Sequence, residues 1–327
     1  MIVYLVKRLA AAAAILLVVC ALTFAIFYLA PDDPAQKACG KACTPERIEE
    51  IRGQLGLDRP VPEQFARYLE GIVAGRSYGG VQCPFPCLGF SFQTNVPVQE
   101  LLVSRLPVSA SIAVGAAALW LLTGVSAGVL AALTKGSWWD RAAMAAALGG
   151  ISVPIYLTAL VLQYVLVVVL GVLPYPRAVG LLEDPVVWLQ SMLMPWVALA
   201  ALYAGMYARL SRTEVIGALG QNFVRTARAK GLPEATVVRR HALRPALTPI
   251  VTVFGMDLGA LLGGALITES VFGLPGVGKL AADAINSSDQ PVIIGVTLFA
   301  AGFIVVANVV VDLLYAVLDP RIRLGAA

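Results

Sequence analysis

Charge is scarce in this chain. Only 13% of its 327 residues are Asp, Glu, Lys or Arg and 59% are hydrophobic, against about 25% charged residues in soluble domains. A soluble fold of that composition is excluded, and the chain reads as a polytopic membrane protein. Histidine is scarcer still, with His241 alone, so the ladder of acids and histidines expected of a proton-coupled pump is missing. The sequence also holds no Ser/His/Asp set, no HExxH and no metal-ligand cluster in its apolar runs, so a membrane enzyme is not expected. The net charge of +4 does not argue for nucleic acid. The cations sit in short loops between apolar runs, where they act as topology signals.

What is abundant is hydrophobic length. About 20 apolar residues cross a bilayer, and six runs qualify, near 9–30, 108–133, 142–170, 192–210, 247–267 and 292–318. The first is too long for a secretory signal and lacks a small-residue cleavage site, so it reads as a retained helix. With the N-terminus inside, fourteen Lys and Arg fall in the cytoplasm, among them Lys7, Arg8, Lys135, Arg141, Arg321 and Arg323. Two, Arg177 and Lys279, fall outside, apart from the long loop 31–107. This ratio predicts an N-in, C-in protein, since cytoplasmic loops carry the excess of Lys and Arg. The expected fold is all-α, with six transmembrane helices and three parts: a first helix over 1–30, an extracytoplasmic loop over 31–107, and a five-helix core over 108–327.

The outer loop predicts a small helical cap. Thr44 and Pro45 make a helix start, with Ile48, Ile51 and Leu55 on one face and Gly56 as the stop. A second helix follows Pro60 and Pro62, with Phe65, Leu69 and Ile72 on one face. Cys39, Cys43, Cys83 and Cys87 form two C-x3-C pairs here. They suit two disulfides in an oxidising compartment and zinc otherwise. The outside placement favours disulfides, with three connectivities open.

The largest charged feature on the other side is a basic island. From Arg209 to Arg244 there are eight Lys and Arg and two acids, and each cation at the centre of a membrane helix would cost about 2.5–3.5 kcal/mol. The segment 211–246 therefore lies in water. Gly231 and Pro233 divide it into two short helices, with His241 expected at the surface. Such a loop on an otherwise buried chain suits a soluble partner.

Three acids approach the apolar region: Asp257 within the fifth run, Glu269 at its outer end and Asp312 toward the inner end of the sixth. Membrane ionisables are functional candidates by default. Asp257 is open between lining a translocation path and pairing inside the bundle, while Glu269 and Asp312 lean structural. Gly255, Gly259 and Gly263 form one helical stripe and Gly124 and Gly128 another. They suit close helix packing, with a dimer interface or pore wall as the other reading. The segment from Gly273 to Lys279 matches the G-x4-G-K phosphate loop in letters only. Leu280 stands where that loop needs Ser or Thr, and a buried strand does not precede it.

Several stretches together carry a resemblance: LAPDDPA at 29–35, LGLDRPVPEQFARYL at 55–69, GSWWDR at 136–141, VRTARAKG at 224–231, LITESVFGLPGVGKLAADAI at 266–285 and NVVVDLLYAVLDPRIR at 308–323. In order and over nearly the whole chain, they resemble the oligopeptide/dipeptide ABC-importer permeases, B-type subunit. The cysteine-bearing segments carry no part of the likeness. The resemblance implies a bacterial inner-membrane, multi-pass permease that pairs with a C-type permease, two cytoplasmic ATPases and an extracytoplasmic solute-binding protein. ATP and Mg would be held by the ATPases, so no cofactor is expected in this chain. Peptides are the implied cargo, and nickel, glutathione and oligosaccharide importers share this permease type. In such permeases an E-A-A-x3-G loop docks on the ATPase. Aligned on Gly231, the Glu position holds Arg225, the Ala positions hold Thr226 and Ala227, Leu243 matches and Arg244 replaces Pro. Phe223, Arg228, Lys230 and Leu232 complete the implied coupling surface. A secondary transporter without an ATPase is the rival class; it predicts internal repeats and broken helices about a midplane site.

Overall fold

The computed structural model describes residues 2–28, 33–40 and 43–318, with side chains described outside 2–5, 27, 28 and 312–318. Arg321 and Arg323, counted above among the cytoplasmic cations, lie outside the described residues. Helix α1 (Ile2–Tyr28) leads into three cap helices: α2 (Pro34–Cys39), α3 (Pro45–Leu55) and α4 (Val61–Ala74). The core follows as α5 (Val98–Leu133), α6 (Trp138–Ser152), α7 (Ile155–Val169), α8 (Pro185–Leu219), α9 (Asn222–Ala229) and α10 (Glu234–Leu262). The chain then closes with α11 (Leu266–Val271), α12 (Val277–Ser287) and α13 (Gln290–Leu318). Among the described residues, five helices are long and apolar enough to cross a membrane, or six counting the bent pair α6–α7 as one crossing.

The third run departs from expectation. It is not one helix over 142–170, because α6 and α7 meet at 95°. Pro154 is the cause: the residue before a proline is driven out of the helical region, and Val153 sits at φ −89°, ψ 125°. The second helix begins earlier than 108, at Val98, and the fourth extends well beyond 192–210 at both ends. Asp184 starts it by accepting from the amides of Val186 and Val187, ahead of Pro185.

Helix α8 is the central element, in contact with α5, α6, α7 and α10, while α13 covers α10 and α1 lies against α13. The two glycine stripes are the contact faces. A Cβ at Gly128 of α5 would fall 2.4 Å from the Ala208 carbonyl of α8, and one at Gly259 of α10 would fall 2.6 Å from the Ala307 side chain of α13. Both stripes therefore serve packing within this bundle, since in lipid close backbone approach replaces the hydrophobic effect as the source of association.

The cap is not wholly helical. Two short antiparallel hairpins, β1 (Arg76–Tyr78) with β2 (Val81–Cys83) and β3 (Phe90–Ser91) with β4 (Val96–Pro97), complete it. Thr44 caps α3 through the Arg47 amide, and Gly56 ends it at φ 73°. Ile51 is fully buried with Ala35, Tyr78, Phe90 and Phe92 around it, and Ile48 and Leu55 pack on the same cluster. Phe65 of α4 meets Phe24 of α1 at 5.2 Å between ring centroids, tying the cap to the first span.

Candidate functional site

The basic island is folded rather than loose. In α9 the side chains of Val224 and Ala227 are buried, while Phe223, Arg225, Thr226 and Arg228 point outward. Beneath it, Val215 and Ala218 of α8, Ala132 of α5, and Val237, Ala242 and Ala246 of α10 form one apolar cluster with Val224 and Ala227. The helix stops at Lys230, whose amide bonds the Thr226 carbonyl at 3.0 Å, and Gly231 turns the chain at φ 74° with its own amide on the Arg228 carbonyl at 2.9 Å. Left-handed backbone is cheap only for glycine. The expected second short helix is instead the start of a long one. From Glu234 the chain runs on through a π-helical turn, Val237–Ala242, into the fifth span. His241 is half-buried in that turn, not a surface residue.

Arg228 grips Glu234 across the turn through Nε and Nη2, at 3.1 and 2.5 Å. Arg225 and Lys230 have no ion pair among the described residues. The outer face of the island thus carries two exposed apolar side chains, Phe223 and Leu232, among exposed cations. Chemically it can offer apolar anchors and positive charge to an acidic, partly apolar surface.

The membrane acids are placed differently from one another. Asp257 is half-buried on the side of α10 that faces α8, and its Oδ2 accepts from the Tyr207 hydroxyl at 2.8 Å. Tyr207 is fully buried, and Trp120 of α5 packs at 6.0 Å from its ring while stacking on Tyr203 at 4.6 Å. Glu269 is fully buried. It accepts from Ser109 Oγ at 2.7 Å, the Ala265 amide at 3.1 Å and the Lys279 amide at 2.8 Å, while Ser109 Oγ accepts from the Val277 amide at 2.8 Å. Within the Gly273–Lys279 turn, where a phosphate would need free amides, that of Lys279 is thus held by the chain's own carboxylate and that of Val277 by Ser109 Oγ. Asp312 falls on α13 where its side chain lies outside the described residues.

The four cap cysteines stand as neighbours within each C-x3-C pair, Cys39 bonded to Cys43 and Cys83 to Cys87, with Cα separations of 5.9 and 5.4 Å. Among the described residues no group of three or more His, Cys, Asp or Glu could hold a metal ion.

Two further acids, which the sequence does not single out, make polar contacts. Asp140, in the first turn of α6, is clasped by Arg212 of α8. Asp289, just before α13, is buried and accepts from Ser91 of β3. Burial pushes the Asp289 carboxyl above its ordinary value, against the stabilising bond from Ser91. In the sequence Arg212 reads only as one cation of the basic island, and neither pair is near in sequence.

Comparison with known proteins accounts for this arrangement. Residues 1–113 match the N-terminal family described as a binding-protein-dependent transport system membrane component, and residues 124–324 match the binding-protein-dependent transport system inner membrane component. A putative peptide transport system permease protein of Brucella abortus is 38% identical over 317 residues, covering 97% of this chain and 98% of that protein. The dipeptide transport system permease protein DppB of Escherichia coli is 34% identical over 326 residues, covering 92% and 93%. Among solved structures, an inward-facing MetNI methionine ABC transporter chain superposes with a TM-score of 0.52 at 18% identity, over 68% of this chain and 97% of that one, a likeness of fold. With family matches over most of its length and relatives aligned almost end to end, this chain belongs to the binding-protein-dependent transport system inner membrane component family, as a non-catalytic permease subunit of an ABC importer.

Proposed function

We propose that this chain carries peptides across a bacterial inner membrane in complex with a second, C-type permease, two cytoplasmic ATPases that hold ATP and Mg, and an extracytoplasmic solute-binding protein. Its orientation is N-in, C-in, as the fourteen-to-two division of cations supports. The similarity to peptide and dipeptide transport permeases of Brucella and Escherichia supports peptides as cargo. The observation that carries the reading is the exposed, cationic face of α9 and its Gly231 turn. This face rests on an apolar cluster shared with the cytoplasmic ends of α5, α8 and α10, so a push on the island reaches three spans at once. Phe223, Arg225, Arg228, Lys230 and Leu232 are the docking surface, and Thr226, Ala227 and Gly231 shape it.

The test is Gly231→Val in the complex purified from native membranes. The position is open, with nothing within 4 Å of an added Cβ, so the substitution introduces backbone strain of about 1–2 kcal/mol without a clash. Insertion and pairing with the second permease should persist, while ATPase retention and stimulated ATP hydrolysis fall. Gly231→Asn, which tolerates left-handed backbone, should retain most of both. Full coupling in Gly231→Val at normal abundance would overturn the reading.

A further inference from the structure

We propose that Asp140 and Arg212 form a latch that makes the α5–α6 turn move with the coupling island, so that both are positioning residues for transport. The proposal rests on the island's coupling role argued above. Arg212 Nε and Nη2 reach Asp140 Oδ1 and Oδ2 at 2.6 and 2.8 Å, a two-pronged grip that fixes direction as well as distance. The carboxylate cannot swivel to follow Arg212. Its Oδ2 also accepts from the Gly136 amide at 2.9 Å, which Gly136 can aim at it because it sits at φ 84°. Its own backbone amide donates to Ser137 Oγ, the cap of α6. Asp140 is therefore a rigid part of the turn between the second and third runs, and only 4% of it is exposed.

At the other end of the pair, Arg212 lies one turn before Val215 on an unbroken helix, and Val215 belongs to the cluster on which α9 rests. Gly128 and Ser211 already bring α5 and α8 into close contact beside it, with an added Cβ at Gly128 only 2.7 Å from the Ser211 Cβ. Glycine contact allows two helices to slide along each other, whereas a forked ion pair to a fixed carboxylate does not. The latch thus converts sliding into joint movement of α5, α6 and α8. Among the neighbouring charges, Lys135, Arg141 and Arg209 are exposed and have no ion pair among the described residues, so none of these cations takes Asp140 from Arg212.

The experiment places spin labels at the outer face through Leu182→Cys and Ile285→Cys in a Cys20→Ser background, both sites being exposed. It uses the complex purified from native membranes with its ATPases, and reads the change in label distance on adding ATP, Mg and vanadate. In the otherwise unaltered chain the distance changes. Arg212→Gln should retain the ATPases and basal ATP hydrolysis while the population reaching the trapped distance falls about tenfold, the size of a typical coupling between sites. The double variant Asp140→Asn with Arg212→Gln should be no worse than Arg212→Gln alone, and Arg212→Lys, which keeps the charge without the fork, should fall between. A full distance change in Arg212→Gln would overturn the latch while leaving the coupling role of the island intact. Loss of the ATPases from Arg212→Gln would overturn it too, by making the pair part of docking. Absence of ATPases from the unaltered complex would overturn both readings.

Discussion

In the orientation proposed above, the outer and cytoplasmic ends of this bundle use the same parts to opposite effect. Each has a glycine turn beside a carboxylate. At the outer end the carboxylate is Glu269, fully buried, with three donors converging on it from α5, the residue before α11 and the first turn of α12. At the cytoplasmic end Gly231 turns in open space, and the acid across from it, Glu234, is exposed and held by a single arginine. A buried, satisfied acid cannot be moved without stranding its donors. An exposed one loses little when rearranged, because water takes over. The outer end therefore resists rearrangement, and the cytoplasmic end yields at little cost, as the proposed coupling role requires.

Breaking the outer lock should give the largest effect. Glu269→Ala leaves the buried Ala265 amide, the part-buried Lys279 amide and the Ser109 hydroxyl without their acceptor, and should cost about 3 kcal/mol of stability, measured as thermal unfolding in detergent against Glu269→Gln. An unchanged midpoint for Glu269→Ala would remove the contrast between the two ends.

The cap staple comes next. Replacing Cys83 and Cys87 by Ser opens a short closed loop and should destabilise the cap by about 2 kcal/mol, seen as faster amide exchange over 76–97. In the native protein none of Cys39, Cys43, Cys83 and Cys87 should react with alkylating reagent before reduction, whereas stoichiometric zinc or free thiols would contradict the bridges.

The smallest expected effect is a pH dependence at Asp289. Its carboxyl is raised above its ordinary value by burial, so the folded state holds the proton more tightly than the unfolded one. The sign follows: stability is greatest below the unfolded pKa and declines as pH rises through the folded one. Protection of the Thr94 amide, which bonds Ser91 Oγ at 3.1 Å, should therefore weaken from pH 4 toward neutrality after correction for intrinsic exchange. Asp289→Asn should abolish the slope, and an unaltered slope in that variant would assign it to another group.

Much of this architecture is legible in the chain because it depends on local pattern. Apolar length locates the spans, Thr44 and Gly56 bound α3, and the cations of 209–244 force that segment into water. The break at Pro154 is written locally too, but hydropathy averages over it, since Val153 and Ile155 are as apolar as a continuous helix would need. The two hairpins escape because strands of two and three residues are too short to establish a period of two. The polar contacts escape for a different reason. Ser109 and Glu269 are 160 residues apart, Asp140 and Arg212 are 72 apart, and only helix packing decides which charges meet. Tyr207 gave a weak signal, as a hydroxyl in an apolar run that needs a partner when buried, but nothing nearby named Asp257 as that partner.

The continuity of α10 has a mechanical consequence. It runs for 29 residues from Glu234, beside the Gly231 turn, to Leu262, which at 1.5 Å per residue is a rod of about 43 Å. Its only π-helical stretch, Val237–Ala242, is at the cytoplasmic base, with Pro249 a little above it. A lever that is soft at its base and stiff along its shaft magnifies a small rotation at one end. A tilt of about 10° there, acting through the roughly 30 Å above Ala242, would carry the tip by about 5 Å. Asp257 is the charged residue nearest that tip, so it has the longest throw of any charge on the rod.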